Sequence, residues 1–595
     1  MTNKLFYGLM RFVLPVAFCF VLGGQILAQS TVTGGIRGKV TDPQGAIVPN
    51  ATVTATNVGT NQTETANADE DGGYRFSNLQ PGTYTVGVTA TGFANFTLER
   101  VVVEVGKVTT ADVPLSVSGT TANVEVTAEA PVINTTQQDF SVNINQTSIN
   151  ELPINGRRAS NFVLLTPGVA PDGAFGLISF RGISGLLNNS TVDGGDNNQA
   201  FFSEERGRTR ISYSISQDAV REFQVNTSNY SAEFGRAAGG VVNTVTKSGT
   251  NELHGSVFYY LRDNRFGARN AFSFRGVTTP TGTQLVALKP EDVRHQFGGS
   301  LGGPIVKDRL FFFFSYDQQK RNFPAVAATS SPTFLNPITV STPSNCSATN
   351  LTPGQTLGCR GVTQTQVDSG LAFLRSLTGE VPRKADQLLL LPKIDWVIND
   401  KHTFTAVYNR LRADSPAGVQ SQAVVTRGIA SFGDDEVSID TLNLRLNSSL
   451  TSSVINEARF QWSRDLEQQF AQPPAPGEPT TANGFSPSVA IATNAGGITF
   501  GKPNFLDRLA YPDEKRWQYA NTTTISRGRH TIKFGGDFNH VSDLLDNLFQ
   551  NAGVYNYNNL ADFLTDFAIP SQKRFSSFNQ GFGPTAFKFA TRDYN

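Results

Sequence analysis

The connections between predicted strands constrain the fold of this chain more than any other sequence feature. From Glu252 onward, short runs alternate apolar and polar side chains, as in the run Leu442, Asn443, Leu444, Arg445, Leu446, Asn447. Short connections alternate strictly with long ones, the short ones at 303–308, 398–401, 448–453 and 526–529 and the long ones at 263–293, 322–387, 412–438 and 465–515. A soluble β-sandwich shows the same two-residue period. Short turns on one side and long loops on the other are instead typical of an outer-membrane barrel. The sequence therefore predicts a transmembrane antiparallel β-barrel over residues 251–595.

A β-rich, glycine-marked stretch at residues 222–247 precedes the predicted barrel. It runs through a turn, Lys247 to Asn251, into an alternating strand at 254–261. We therefore expect residues 148–250 to form a plug inside the barrel, and the turn to lie at the rim where the first membrane strand begins.

The composition agrees with a barrel and argues against a nucleic-acid partner. Lys+Arg and Asp+Glu are 49 each, so the chain lacks the basic excess that binds nucleic acid. Charged residues make up 16%, which is low for a soluble protein. The mean hydropathy of −0.22 is compatible with strands that face lipid on one side only.

The N-terminus is predicted to be a cleaved signal peptide, residues 1–28. Lys4 and Arg11 supply positive charge before an apolar core at 12–22, and a cleavage site follows between Ala28 and Gln29. The alternative, an uncleaved anchor, is too short to span a bilayer. Cys19 lies behind a bulky Phe18, so lipid attachment is not expected.

Two cysteines follow the signal segment, Cys346 and Cys359, in a Pro/Thr/Ser/Gly-rich stretch. A disulfide suits an exported protein. The alternative, a free pair or a metal site, lacks a further cysteine or a nearby histidine.

Residues 29–118 are predicted to form a small β-sandwich. The evenly spaced strands and turns include Asp42-Pro43-Gln44-Gly45 and Leu79 to Val86. This stretch resembles the carboxypeptidase regulatory-like domain, with its carbohydrate-binding-like fold, which implies a non-catalytic accessory module. Asp69 and Asp71 could suggest calcium, but the closing glutamate of a calcium loop is absent and a turn is expected.

Residues 119–147 are predicted to be a linker that holds a short β-prone run: Val124, Glu125, Val126, Thr127 and Ala128. One reading is a further sandwich strand. The other is a peptide that pairs with the sheet edge of a partner. In sequence and position the run resembles the TonB box of energised outer-membrane receptors, which implies TonB as the partner.

Several motifs resemble the plug and barrel of TonB-dependent receptors of the Oar-like type: 152–158, 180–182, 192–196, 239–243, 302–305 and 311–314. Asp193 and Asp196 could bind a cation, but a turn is the more common role of Asp-Gly-Gly-Asp. About ten strands of ~9–11 residues are expected, whereas plugged transporters use about 22. We therefore expect a C-terminally truncated copy that holds the N-terminal part of the barrel.

No catalytic or cofactor pattern is expected. The five histidines form no close ligand pair. Residues 298–302 match G-x-S-x-G, but Gly303-Pro304 and a strand follow instead of the helix that a nucleophile elbow needs. The sequence therefore predicts no enzyme and no cofactor.

The sequence favours an outer-membrane receptor that binds an unknown extracellular ligand and is energised by TonB. Its partners are outer-membrane lipid, TonB and that ligand. The alternative is a surface adhesin or structural β-protein without transport activity.

Overall fold

The computed structural model describes residues 32–117 and 140–594, with short gaps at 155–156, 174–176, 208–210, 270, 272–273, 280–281, 290, 419–423, 452, 482–483, 528–529 and 582–588. The described chain is mainly β, as predicted, and is arranged as a sandwich, a plug and a ten-stranded sheet.

The first region is a two-sheet sandwich. Its strands are β1 (Gly34–Thr41), β2 (Thr52–Asn57), β3 (Thr63–Asn67), β4 (Gly73–Leu79), β5 (Gly82–Thr89), β6 (Phe96–Val103), β7 (Val108–Thr110) and β8 (Val113–Pro114). One sheet has the order β4-β1-β7, with β8 also on β1, and the other β3-β2-β5-β6. Alternate residues such as Val53, Val86 and Leu98 fill the core between them. The Asp69 carboxylate accepts the backbone N–H of Gly73 at 2.7 Å, so it closes its own turn.

The second region is the plug. It contains β9 (Phe140–Ile144), α1 (Gln146–Glu151), β10 (Val169–Asp172), β11 (Leu177–Phe180), β12 (Asn189–Val192), β13 (Gly195–Asp196), β14 (Val220–Ser228) and β15 (Val241–Thr246). The main sheet has the order β13-β12-β15-β14-β9. Strand β9 lies in the stretch expected to be linker, so the plug sheet begins before residue 148. Its alternating sequence, Phe-Ser-Val-Asn-Ile, suits the edge position that it takes.

The third region holds the remaining elements. In chain order they are β16 (His254–Asp263), β17 (Phe274–Thr279), β18 (Gly282–Ala287), β19 (Val293–Val306), β20 (Leu310–Asn322), β21 (Ala325–Ala327), α2 (Pro353–Cys359), α3 (Gln364–Ser376), β22 (Gly379–Val381), β23 (Lys384–Asn399), β24 (His402–Ser415), β25 (Val424–Val425), β26 (Gly433–Thr451), β27 (Val454–Ala471), β28 (Ser488–Ile491), β29 (Ile498–Phe500), β30 (Ala510–Arg527), β31 (His530–Asp546), β32 (Val554–Tyr557), α4 (Leu560–Ala568), β33 (Ser577–Asn579) and β34 (Phe589–Tyr594).

Ten of these strands form one antiparallel sheet, β16-β19-β20-β23-β24-β26-β27-β30-β31-β34. The expected count of about ten is confirmed. The expected length is wrong for most of them: eight of the ten described strands have 13 to 19 residues, and β26 is the longest with 19. Pairing continues beyond the apolar band, because the ladder satisfies backbone groups outside the membrane as well as inside. Within the described residues, β16 and β34 are the two ends of the sheet order.

The two faces of the sheet follow the predicted alternation. Leu442 and Leu444 lie opposite Trp462 and Phe460 on the outer face. Asn443, next to them, donates to the plug at Val192 O with a distance of 3.3 Å. The apolar residues therefore face outward and the polar residues face the plug.

Short and long connections alternate as predicted. Residues 307–309 and 400–401 are short turns, and the described ends of two further hairpins pair closely, Thr451 with Val454 and Arg527 with His530. The sandwich lies against this side. The long connections are 264–292, 323–383, 416–432, 472–509 and 547–588. Short turns of such barrels face the periplasm and long loops face outside.

Four of the long connections pack together into a folded unit, which we call the loop cap. It contains α2, α3 and α4 and two small sheets, β29-β28-β32-β33 and β22-β21-β25. Its core includes Leu371, Leu374, Phe500, Phe563 and Leu564. The helices begin at strong caps, as in α3, where the Thr363 hydroxyl accepts the Gln366 N–H in a capping box.

Candidate functional site: the contact between plug and barrel wall

The plug reaches the barrel through the hairpin that joins β12 and β13. Asp193 and Gly194 form its two-residue turn, with φ of 49° and 80°, as hairpin turns of this length require. The Asp193 carboxylate accepts the backbone N–H of Thr246 at 3.0 Å and its hydroxyl at 2.7 Å. Asp193 therefore fixes the turn within the plug.

The tip of this hairpin lies directly on strand β27. Arg459 Nη1 donates to Gly194 O at 2.7 Å. A Cβ atom on Gly195 would lie 2.4 Å from Gln461 Nε2, so the backbone touches the wall where a side chain would separate the two. The glycine pair thus brings the plug close enough for the next residue to pair with the barrel.

That next residue, Asp196, forms a buried ion pair with the wall and a second, partly exposed pair within the plug. Its carboxylate contacts the guanidinium groups of Arg516 on β30 and Arg236 of the plug, and it accepts the Asn198 N–H at 2.8 Å. Burial alone would raise the pKa of Asp196. The guanidinium groups of Arg516, Arg236 and Arg206 outweigh this and hold the pKa at about 2. Asp196 is therefore an anion at any physiological pH.

A second buried acid–base pair lies beside the first. Glu514 of β30 accepts from Arg516 at 2.9 Å and lies 3.9 Å from Arg206 of the plug. It also accepts the plug N–H of Ala200 at 2.6 Å. Burial and the nearby Arg516 lower the pKa of Arg206 to about 10, which leaves it charged at neutral pH.

We call these five side chains, Asp196, Arg206, Arg236, Glu514 and Arg516, the ionic contact. Removal of one partner of a buried ion pair costs about 3–5 kcal/mol, because the other charge stays buried and unpaired. Separation of the whole plug from the wall is different, since water can solvate both sides. The ionic contact itself therefore holds the plug firmly and exposes little apolar surface when it separates. Apolar contacts also join plug and wall, since Ile211 of the plug packs in one cluster with barrel residues that include Leu411 and Ile439.

A further polar contact lies on strands β19 and β20. Tyr213 Oη and Ser216 Oγ of the plug both donate to Asp317, each at 2.7 Å. Gln296 Nε2 donates to Tyr213 Oη at 2.8 Å. Polar groups thus attach the plug to the wall on these strands as well as at the ionic contact.

The predicted site residues have different outcomes. Val124–Ala128 and the Ala28–Gln29 cleavage site lie outside the described residues. Cys346 and Cys359 form a disulfide, with an S–S distance of 2.03 Å, which lies in the loop cap. Asp193 has the turn role that the sequence favoured over cation binding, whereas Asp196 is paired with arginines of the barrel and the plug.

Sequence reasoning missed the ionic contact. Its plug and barrel members lie about 300 residues apart, as in the 2.7 Å bond from Arg516 Nη2 to Asn198 O. One signal was available: Glu514 and Arg516 occupy alternate positions of one strand and therefore point to the same polar face. Two charged side chains on the inner face of a barrel strand predict polar or oppositely charged partners in the plug.

Other chemistry is not found in the described part of the chain. No cluster of three metal-ligating side chains occurs there. The 298–302 G-x-S-x-G match lies inside the continuous strand β19 and is followed by β20, so it lacks the context of a nucleophile elbow. The helices within the described ranges are all too short or too polar to cross a membrane.

Comparison with known proteins follows the same division of the chain. The family described as outer membrane beta barrel domain matches residues 245–594. The chain belongs to this outer-membrane β-barrel family. The carboxypeptidase regulatory-like domain matches residues 35–116, which coincides with the sandwich. The first match places the protein in an outer membrane, and the second gives it a carboxypeptidase regulatory-like domain on the N-terminal side.

Individual proteins are similar to this chain over part of their length. The barrel protein is 29% identical over 311 residues to the TonB-dependent transporter Oar of Myxococcus xanthus. The match covers 51% of this chain and 28% of that relative. Among solved structures, the outer membrane transporter YddB from Escherichia coli aligns with a TM-score of 0.45 and 13% identity, over 71% of this chain and 50% of that one. The siderophore receptor PirA from Acinetobacter baumannii aligns with a TM-score of 0.41 and 14% identity, over 70% and 49%. The chain thus spans about half the length of these structures and less of the curated relative.

Proposed function

We propose that this protein is a TonB-dependent receptor that binds an extracellular ligand and transports it through the plugged barrel with energy from TonB. The observation that carries the proposal is the ionic contact, which closes the lumen with a folded domain held by releasable polar groups. The similarity of this chain to a protein named as a TonB-dependent transporter supports the same function. Export through the signal segment, residues 1–28, belongs to the proposal.

The polar character of the contact suits a domain that must move. The apolar part of the interface, such as Ile211 against Leu411, exposes hydrophobic surface to the lumen on opening, at about 25 cal/mol per Å². Asp196, Arg206 and Glu514 instead become hydrated when they separate. The closed state is stable because these charges are paired, and the open state is reachable because water replaces the pairs.

The chain order gives a route for the force. TonB would bind the Val124–Ala128 run by strand pairing, and the next described element is β9. This strand is an edge of the plug sheet and pairs with β14 from Phe140↔Ser228 to Ile144↔Phe223. A pull from the N-terminal side reaches Phe140 first and opens the pairs one after another. Removal of β9 would uncover β14 and loosen the plug.

The ligand is proposed to bind on the loop side. The loop cap has its own core and a disulfide, so it presents a preformed surface above the lumen. Because the loop cap is itself built from the long connections of the barrel, the plug is the part that has to move for transport.

Binding of the TonB periplasmic domain tests the proposal. Val126→Pro removes an N–H that an added strand would use, and we expect at least tenfold weaker binding. Thr136→Pro is the matched control in the same segment, and binding should be unchanged. Equal binding by both variants, together with undiminished uptake in cells that lack TonB, would refute the energised mechanism.

The loop cap is also the kind of surface that an adhesin presents. Membrane extraction separates the two functions. A heat-modifiable band in the outer-membrane fraction supports the receptor, whereas release of the protein by a salt or urea wash supports the adhesin.

A further inference from the structure

We propose that the sandwich domain is a clamp that holds the plug closed from the short-turn side, so that the plug is released only after the sandwich undocks. The docking does not depend on TonB, whereas the release step rests on the proposed function. The role concerns an interaction surface of the sandwich whose partners are the plug and the barrel turns of the same chain.

One set of contacts joins the sandwich to the plug. The backbone N–H of Val105 donates to the Glu222 carboxylate of β14 at 2.5 Å. Asn143 Nδ2 of β9 donates to Val105 O at 2.9 Å. The Val105 side chain is fully buried in a small cluster with Val32 and with Val245 of β15. The loop around residue 105 therefore touches three neighbouring plug strands, including the edge strand β9.

The approach at this loop is close. Gly106 has a φ of 66°, and a Cβ atom there would lie 2.0 Å from Gln224 Nε2. The backbone conformation therefore favours glycine, and any larger residue would also displace the Gln224 amide.

A second set of contacts joins the sandwich to the fixed barrel. Asn61 Nδ2 donates to Asp308 in the β19–β20 turn at 2.9 Å. Gln62 Nε2 donates to Thr403 at the start of β24 at 3.2 Å. Arg75 Nη1 donates to Thr531 at the start of β31 at 3.1 Å. These three contacts lie at three different short turns.

The sandwich thus connects the plug, which moves, to the barrel, which stays in place. Its β2–β3 loop is stiffened by its own hydrogen bonds, since Asn57 Oδ1 accepts the N–H groups of Gly59 and Thr60 at 2.9 and 3.1 Å. A single core joins this loop to the loop at Val105. Because one rigid body holds both partners, plug movement must break one set of contacts. The position of Asn143 on β9 places the clamp on the strand that force reaches first.

Cross-linking in cells tests the docking. The variant Arg75→Cys with Thr531→Cys places a thiol on each side of one contact. Thr89→Cys with Thr531→Cys is the matched control, because Thr89 is exposed and pairs with Thr52, at the opposite end of β2 from Asn57. The two cysteines that follow the signal segment form a disulfide, so they do not compete for a short bis-maleimide.

We expect an intramolecular cross-link with at least tenfold higher yield for the contact pair than for the control pair. Equal yields, or no cross-link in the contact pair, would overturn the clamp and leave the receptor proposal intact.

A second experiment tests whether the sandwich restrains the plug. The triple variant Asn61→Ala, Gln62→Ala and Arg75→Ala removes the three side-chain contacts between sandwich and barrel in the full protein. A loosened plug should admit vancomycin, so we expect at least a fourfold fall in the inhibitory concentration for cells that carry the variant. An unchanged concentration, at equal protein level and with heat-modifiability retained, would show that the sandwich docks without restraining the plug, and would overturn the clamp.

Discussion

The ionic contact makes a quantitative prediction for Asp196→Asn. The substitution keeps the shape of the side chain but removes a charge that is 5% exposed and paired with Arg516 and Arg236. The difference between the ordinary pKa of 3.8 and the folded value of about 2 corresponds to about 2.5 kcal/mol. Loss of one partner from a buried pair typically costs about 3–5 kcal/mol. We therefore expect the plug to be destabilised by about 2–5 kcal/mol.

Hydrogen exchange of the β12 and β15 amides measures this effect in the folded barrel. At about 1.4 kcal/mol per tenfold, exchange should accelerate by roughly 30-fold or more. Glu233→Gln is the matched control. It removes another plug–barrel ion pair, with Lys533, whose side chains are 22% and 12% exposed. The charge left behind is better solvated than Arg516, so the loss should be smaller than for Asp196→Asn. Similar acceleration in the two variants would refute the central role of the ionic contact.

The ion pairs of Asp196 also make the stability of the plug depend on pH. Because the pKa of Asp196 is lowered in the folded protein, its contribution to stability is fully present above about pH 4 and is lost as the pH falls toward 2. Amide exchange of the plug should therefore accelerate in this acid window in the native protein, and this step should be absent in Asp196→Asn.

Three further changes have defined outcomes. Gly240→Ala would place a Cβ atom 2.5 Å from the ring of Phe180 and should lower the free energy of unfolding of the plug in urea by about 1–3 kcal/mol. Gly235→Ala, with open space around it, is the control and should be neutral, and equal effects would contradict the packing. Cys346→Ser with Cys359→Ser should lower the stability of the loop cap by about 3 kcal/mol, seen as faster proteolysis of the loops, and an unchanged rate would contradict this. Phe563→Ala should destabilise the same cap by about 3–5 kcal/mol while the heat-modifiable band persists; loss of the band would mean that the cap and the barrel do not unfold separately.

The barrel could be predicted from sequence because its signals are local. Leu442, Leu444 and Leu446 mark the outer face through a period of two, and the lengths of the connections mark the two ends of the barrel. Neither signal needs knowledge of which distant residues meet. The expected number of strands and the alternation of loops were confirmed for this reason.

The missed features depend on contacts between distant segments or on context. Strand β9 is short and half polar, so Phe140–Ile144 resembled linker until its pairing with β14 was known. Arg516 meets Asp196 only after the plug is inside the barrel, and no local pattern reports this. The loop cap was read as loop because its helices begin at polar caps such as Thr363, within stretches otherwise rich in turn residues.

The central claim is that a pull on the Val124–Ala128 run releases the plug while the barrel stays in the membrane. Single-molecule force spectroscopy tests it, with the TonB periplasmic domain on the tip and the full protein in a bilayer. We predict that β9 to β15 extend before any barrel strand, with a length gain of about 370 Å for a fully extended plug, and that Val126→Pro abolishes attachment. Extraction of barrel strands before the plug, or equal attachment to Val126→Pro, would contradict the account.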